Sequence, residues 1–123
     1  MFEMNKSYSR EDIHNACGGD IQSFLPIKNG KVVAACIRPE RNLLAPDVII
    51  CNNGSAARAA GKTLAKQAEA IPVFIKLDSE LFKYVGDFSA SESLTTPIEC
   101  APYAQKSGLS ISEVSRVIKM TRH

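Results

Sequence analysis

Between residues 47 and 76 the chain sets down a strand, a polar turn, a helix and a second strand, and this succession constrains the fold more than any other segment. Asp47-Val-Ile-Ile-Cys51 is a short apolar run, Asn52-Asn53-Gly54-Ser55 is a bare polar turn, and Ile71-Pro-Val-Phe-Ile-Lys76 is a second apolar run. Between the two runs Ala57, Ala60, Leu64, Ala68 and Ile71 recur at spacings of three and four, the period of a helix that buries one face. A helix over Ser55 to Ala68 and a six-residue strand both span about 20 Å, so the helix can carry the chain back to the start of its strand. That match predicts Asp47–Cys51 and Ile71–Lys76 as parallel neighbours joined by a crossover. Alanines on the inward stripe predict a helix backbone lying close to the sheet.

Local signals on either side complete the outline. Ser9-Arg-Glu-Asp12 resembles a helix cap with acids in the first turn, and Gly18-Gly19 stops the short helix it opens. Ile21 to Ile27, with Pro26 near its end, reads as an edge strand. Asn29-Gly30 is the strongest hairpin signal in the chain, with Lys31 to Ile37 as the partner strand. Arg38 to Pro46 is a loop bracketed by two prolines, whose Leu43-Leu44 pair is expected to tuck beneath it. Phe82 to Phe88 returns antiparallel with Phe82, Tyr84, Gly86 and Phe88 on one face, and Gly86 in mid-strand points to a bulge or a close backbone approach. A helix from Pro97 to Ser107 and a strand from Glu113 to Met120 follow. Parallel and antiparallel pairing with about three helices predicts an α+β fold, a curled mixed sheet or small barrel, and residues 1–123 as a single domain.

Composition excludes several classes. A chain of 123 residues with 45% apolar residues can bury a core without disulfide or metal staples. Cys17, Cys36, Cys51 and Cys100 have no metal-ligand spacing, so neither a metal nor another cofactor is expected. Cys36 and Cys51 each end an apolar run, where a thiol packs as a small core residue. No stretch is long enough to span a membrane and no leader-like apolar segment opens the chain, which predicts a cytoplasmic protein with reduced thiols. Enzyme signatures are weak. His14 and His123 complete no nucleophilic triad, Gly18-Gly19 lacks the phosphate-loop lysine, and the Phe74-Ile75-Lys76 segment lacks the acid of a nuclease motif.

The formal net charge is only +2, yet residues 21–77 hold eight lysines and arginines against three acids. Within that segment Asn52, Asn53, Gly54 and Ser55 present amides, a hydroxyl and helix N–H groups at a strand's end, a set able to grip a phosphate or read a base edge. The structural alternative makes Asn53-Gly54 a turn and Ser55 a helix N-cap. Arg58, Lys62 and Lys66 follow at four-residue steps. Like charges at that spacing cost a few tenths of a kcal/mol each, whereas a phosphate backbone would reward the stripe. Arg38 and Lys76 end two strands and would join Asn52 in a basic mouth if all three ends shared a rim. Phe82, Tyr84 and Phe88 could stack a base, although alternating aromatics are more often core.

Several of these strings resemble known domains. Tyr8-Ser-Arg-Glu-Asp-Ile-His14, Gly18-Gly19, Gln22-Ser-Phe-Leu-Pro26, Ala45-Pro46-Asp47-Val-Ile-Ile, Asn53-Gly54, Ile71-Pro-Val-Phe-Ile-Lys76 and Tyr84-Val-Gly86 resemble a family of small uncharacterised bacterial domains that occur alone or beside nuclease and restriction modules. Over about residues 45–90 the order of elements is also similar to PUA-like domains, which include modified-base readers of the SRA type and RNA-binding modules. The chain is shorter than SRA domains and lacks their tyrosine-aspartate-glycine signature, so no catalytic residue carries over. The resemblance implies a PUA-like barrel and a non-enzymatic module that reads DNA or RNA. Two alternatives stand beside it: a protein-interaction domain, which could dimerise through its last strand, and a nucleotide or small-molecule hydrolase, which would need a metal or carboxylate cluster that the sequence lacks and which loss of an activity on mutating Asp47 would support.

Overall fold

A computed structural model describes residues 2–123. Five strands form one curled sheet, in the order β4 (Ala35–Ile37), β6 (Ile71–Lys76), β7 (Phe82–Leu94), β8 (Val114–Arg122) and β5 (Val48–Asn52), and β1 (Ser7–Tyr8) pairs beside the first half of β7. A separate hairpin joins β2 (Ile27–Lys28) to β3 (Lys31–Val32). Three helices complete the α+β architecture: α1 (Arg10–Cys17), α2 (Ser55–Lys66) and α3 (Pro97–Lys106).

Local chemistry sets most element ends. Ser9 and Asp12 form a reciprocal capping box, with each side chain accepting the other's backbone N–H at 3.0–3.1 Å, and Gly18 closes α1 with φ 86°. Thr96 and Glu99 repeat the box at α3, where Pro97 occupies the first turn and lacks only an N–H that would have gone unpaired. Asn29 and Gly30 both take positive φ (53° and 78°), as the tight hairpin turn requires.

The sheet curls because its longest strand is bulged twice. Opposite β6 the ladder slips between Val73 and Phe74, leaving Val85 unpaired, and opposite β8 it slips again at Ser91. A bulge bends its strand and raises its twist. Gly86 sits at the first slip with φ 125°, a conformation that L side chains avoid. The slip also turns the strand over. Phe82 and Tyr84 join Phe74 and Ile13 in one apolar cluster, while Phe88 joins Ile71, Val73 and Leu64 in the other, so the four positions expected on one face divide between two.

The predicted parallel crossover is absent. Among the described residues strand β5 pairs with β8 alone, antiparallel, and β6 pairs parallel with β4 and antiparallel with β7. Helix α2 lies across the curled face, touching β3, β5, β7 and β8, instead of flanking two adjacent strands. Equal helix and strand lengths allow both geometries. Its buried face is Ala57, Ala60, Gly61 and Leu64, whereas Ala68 lies beyond the helix and is exposed.

Other expectations need correction. Residues 21–26 form no strand: Asp20 holds them in a turn by accepting the backbone N–H groups of Gln22 and Ser23 and the Ser23 hydroxyl at 2.6–2.8 Å. The partner strand is broken at Val33-Ala34, where the Val33 N–H bonds Pro26 O at 2.9 Å. Leu43 is 59% exposed, so only Leu44 is sheltered beneath its loop. The last strand pairs on both sides, with β5 over Val114–Lys119 and with β7 over Val117–Arg122. Cys36 and Cys51 are buried, as expected of core thiols.

Candidate functional site

Strand β5 is an end strand of the sheet, so one of its margins has no strand partner. Asn42, a buried residue of the preceding loop, takes that place. Its Oδ1 accepts the Ile50 N–H at 2.6 Å and its Nδ2 reaches the Ile50 carbonyl at 3.4 Å, so one side-chain amide imitates a neighbouring strand. Buried backbone polar groups are costly to leave unpaired, which is why an otherwise unremarkable loop asparagine sits inside. Gln67 does the same for Val32 at the end of α2, with both of its bonds at 2.9 Å.

Against this sealed margin lies a cavity of about 610 Å³. Arg38 and Arg41 come from the loop after β4, Asn52 and Asn53 from the end of β5, and Ser112 and Glu113 from the 3-10 turn Ile111–Glu113. Phe24, Ile50 and Leu109 supply apolar wall. A mostly apolar hollow with a few convergent polar groups, in the size range of small-molecule sites, can hold a planar polar ring. Arg41 pairs with Glu113 at 3.4 Å, an exposed contact of small energetic weight. Arg38 is exposed and, among the described residues, has no ion-pair partner.

Both asparagines of the turn have structural duties. The ladder between β5 and β8 slips at Asn52, and the Ser115 hydroxyl donates to the carbonyls of Asn52 (2.7 Å) and Cys51 (3.2 Å), fixing the slipped segment. Asn52 Oδ1 accepts the Gly54 N–H at 2.7 Å, and Asn53 Nδ2 donates to Ser112 O. Gly54, not Ser55, is the N-cap of α2, and it carries no side-chain cap. Ser55 is the first helical residue and does not line the cavity.

Of the nine residues singled out from the sequence, Arg38, Asn52 and Asn53 meet in this cavity. Gly54 lines an adjoining groove of about 450 Å³ against α2. Arg58, Lys62 and Lys66 are all exposed on the side of α2 away from its buried face and begin one turn beyond the asparagines. Lys76 lies apart from the cavity. The pairing of Ile37 with Ile75 sets Arg38 and Lys76 side by side at the ends of parallel strands, but β5 runs antiparallel to both of those strands through β8 and β7, so the three strand ends share no rim. Arg38 reaches Asn52 through the loop that leads from β4 to β5.

Sequence reasoning missed Arg41, Asn42 and Phe24. Arg41 carried a signal, being a second arginine in the proline-bracketed loop. Asn42 and Phe24 carried none, because their roles depend on partners distant in space. A Ser–His contact also forms, with Ser89 Oγ and His123 Nε2 2.7 Å apart, but among the described residues no carboxylate bonds that imidazole and both groups lie outside the cavity. Asp47 is exposed, and its carbonyl accepts the Met120 N–H at 2.8 Å. Among the described residues no three His, Cys, Asp or Glu side chains gather as metal ligands. Among the described residues no helix is long and apolar enough to cross a membrane.

No family model matches the chain, and neither does any curated protein. Among solved structures it is similar to the SRA domain of SUVH5, crystallised with hemi-methylated CG DNA, with a TM-score of 0.67 over 99% of this chain and 89% of that one. At 13% identity the likeness is one of fold, and it places the curled sheet and its helices in the PUA-like, SRA-type architecture.

Proposed function

We propose that this chain is a non-enzymatic nucleic-acid-binding module in which the cavity beside β5 receives a base and the α2 stripe follows the phosphate backbone. The observation that carries this reading is one cavity lined together by Arg38, the Asn52 and Asn53 amides and the apolar Phe24 and Ile50, on a fold shared with a domain crystallised on DNA. Amides offer donor and acceptor together, the pairing that distinguishes base edges, while arginine fits phosphate or a guanine edge. Arg58, Lys62 and Lys66 point into solvent, where cations contribute by displacing condensed counterions.

A modified base in DNA is the finer target we favour, since the fold neighbour is bound to hemi-methylated CG DNA. Titration of duplex and single-stranded DNA and RNA, with and without 5-methylcytosine, across a range of salt concentrations tests both levels. Three backbone contacts predict a slope of about −3 in log K against log salt on duplex DNA. Salt-insensitive or absent binding to every one of these ligands would overturn the proposal. Equal affinity for methylated and plain strands would remove only the finer part.

A further inference from the structure

Two hollows meet at Phe24. The cavity beside β5 lies on one side and the groove against α2 on the other, and Phe24 and Asn52 line both. Phe24 is half-buried against the main core, and its carbonyl accepts the Cys36 N–H at 2.7 Å, so the ring that both hollows share rises from an anchored backbone. The two hollows differ in chemistry. The cavity carries two arginines, whereas lysine and arginine are absent from the lining of the groove, whose α2 wall is built of alanines such as Ala56, Ala59 and Ala60.

We infer that the groove is a second base subsite, taking the base adjacent to the one held in the cavity, with the Phe24 ring between the two. This inference rests on the proposed nucleic-acid role of the cavity. An uncharged planar ring suits the groove: alanine methyls and an aromatic edge offer apolar contact, and no lysine or arginine lines it to favour a phosphate over a base. Asp20 at its margin adds an acceptor. A carboxylate has about four acceptor positions, and three are taken by Gln22 N, Ser23 N and Ser23 Oγ. Hydrogen bonds from the Ser23 backbone and hydroxyl hold the Asp20 carboxyl below the usual range, so at neutral pH it is an anion facing the ligand, suited to an exocyclic amino group and repellent to phosphate. The ligand class is therefore two consecutive unstacked nucleotides, their bases parted by an aromatic side chain.

A single DNA strand of abasic residues, carrying one base, two adjacent bases or two bases separated by an abasic residue, holds backbone charge constant while base occupancy changes. Fluorescence anisotropy should show adjacent bases binding about tenfold tighter than one base, with separated bases gaining little, since stacking on an aromatic side chain has that weight. Ala59→Trp, at an exposed helix position that lines the groove, should bring the ratio between two-base and one-base strands close to one. Equal affinity of one-base and adjacent two-base strands, or an Ala59→Trp chain that keeps the ratio, overturns the second subsite while the cavity's role stands. Failure of every strand, fully based ones included, overturns the second subsite, and the cavity's role falls with it only if duplex DNA and RNA fail as well.

Discussion

A Cβ added to Gly61 would stand 2.7 Å from the Cys51 sulfur, so α2 and β5 touch at a point where neither residue can grow. Cys51 is fully buried and cannot swing aside. Gly61→Ala would gain about 1 kcal/mol from helix propensity, against an overpacking cost of about 1–3 kcal/mol, and a net loss of about 1 kcal/mol is expected. In a Cys51→Ala background the nearest remaining atom is the residue 51 Cβ at 3.4 Å, an ordinary contact, and the same substitution should then become neutral or stabilising. Urea unfolding of the four chains gives the coupling directly.

Asn42→Ala removes both bonds to Ile50 and leaves a backbone N–H and C=O unpaired on the sheet margin. A loss of about 2–3 kcal/mol is expected, more than an exposed loop residue would cost. Amide hydrogen exchange at Ile50 should quicken by more than the global destabilisation explains. Exchange that merely follows global stability would remove Asn42 from this role.

Arg38 and Lys62 should fail in different ways. Arg38→Ala, at the cavity, should weaken binding and flatten any preference among bases, whereas Lys62→Ala, on the helix stripe, should weaken all sequences alike and lower the salt slope by about 1. Lys76→Ala should do less than either, because Lys76 stands apart from the cavity.

Burial pushes the Cys36 and Cys51 thiols up from 9.0 to about 12. The folded chain therefore holds these protons more tightly than the unfolded chain. Their contribution to stability is whole below about pH 9 and is lost as pH climbs towards about 12. The urea midpoint should fall across that window, and the fall should be shallower in a Cys36→Ala/Cys51→Ala chain.

Features legible in the sequence were those settled within a few residues. The Ser9–Asp12 box, the Asn29-Gly30 turn and the stop at Gly18 each depend on neighbours in the chain, and each forms where its residues predict. The buried stripe of α2 was legible in part: Ala57, Ala60 and Leu64 face inward as their spacing predicts, Ala68 is exposed beyond the helix, and Ile71 belongs to β6. What could not be read was pairing at a distance. β5 joins β8 across more than sixty residues, and nothing in Asp47–Cys51 distinguishes that partner from β6. Asn42 and Gln67 illustrate the limit, since each is an ordinary polar residue until folding sets it against an unpaired backbone. From the sequence, Arg38 and Asn52 would meet only if their strand ends shared a rim. They share a cavity for another reason, the path of the loop between β4 and β5.

The tie between Asn42 and Ile50 also bears on how quickly a ligand is captured. It pins the middle of the loop that carries Arg38 and Arg41, so the backbone that presents both side chains stands in place before any encounter. A polyanion arriving at such a rim meets no ordering step, and its association rate is set by diffusion and long-range attraction, fast in dilute salt and slower as ions screen it. Changes inside the cavity would then register in residence time, and release of the Asn42 anchor would register in the speed of arrival.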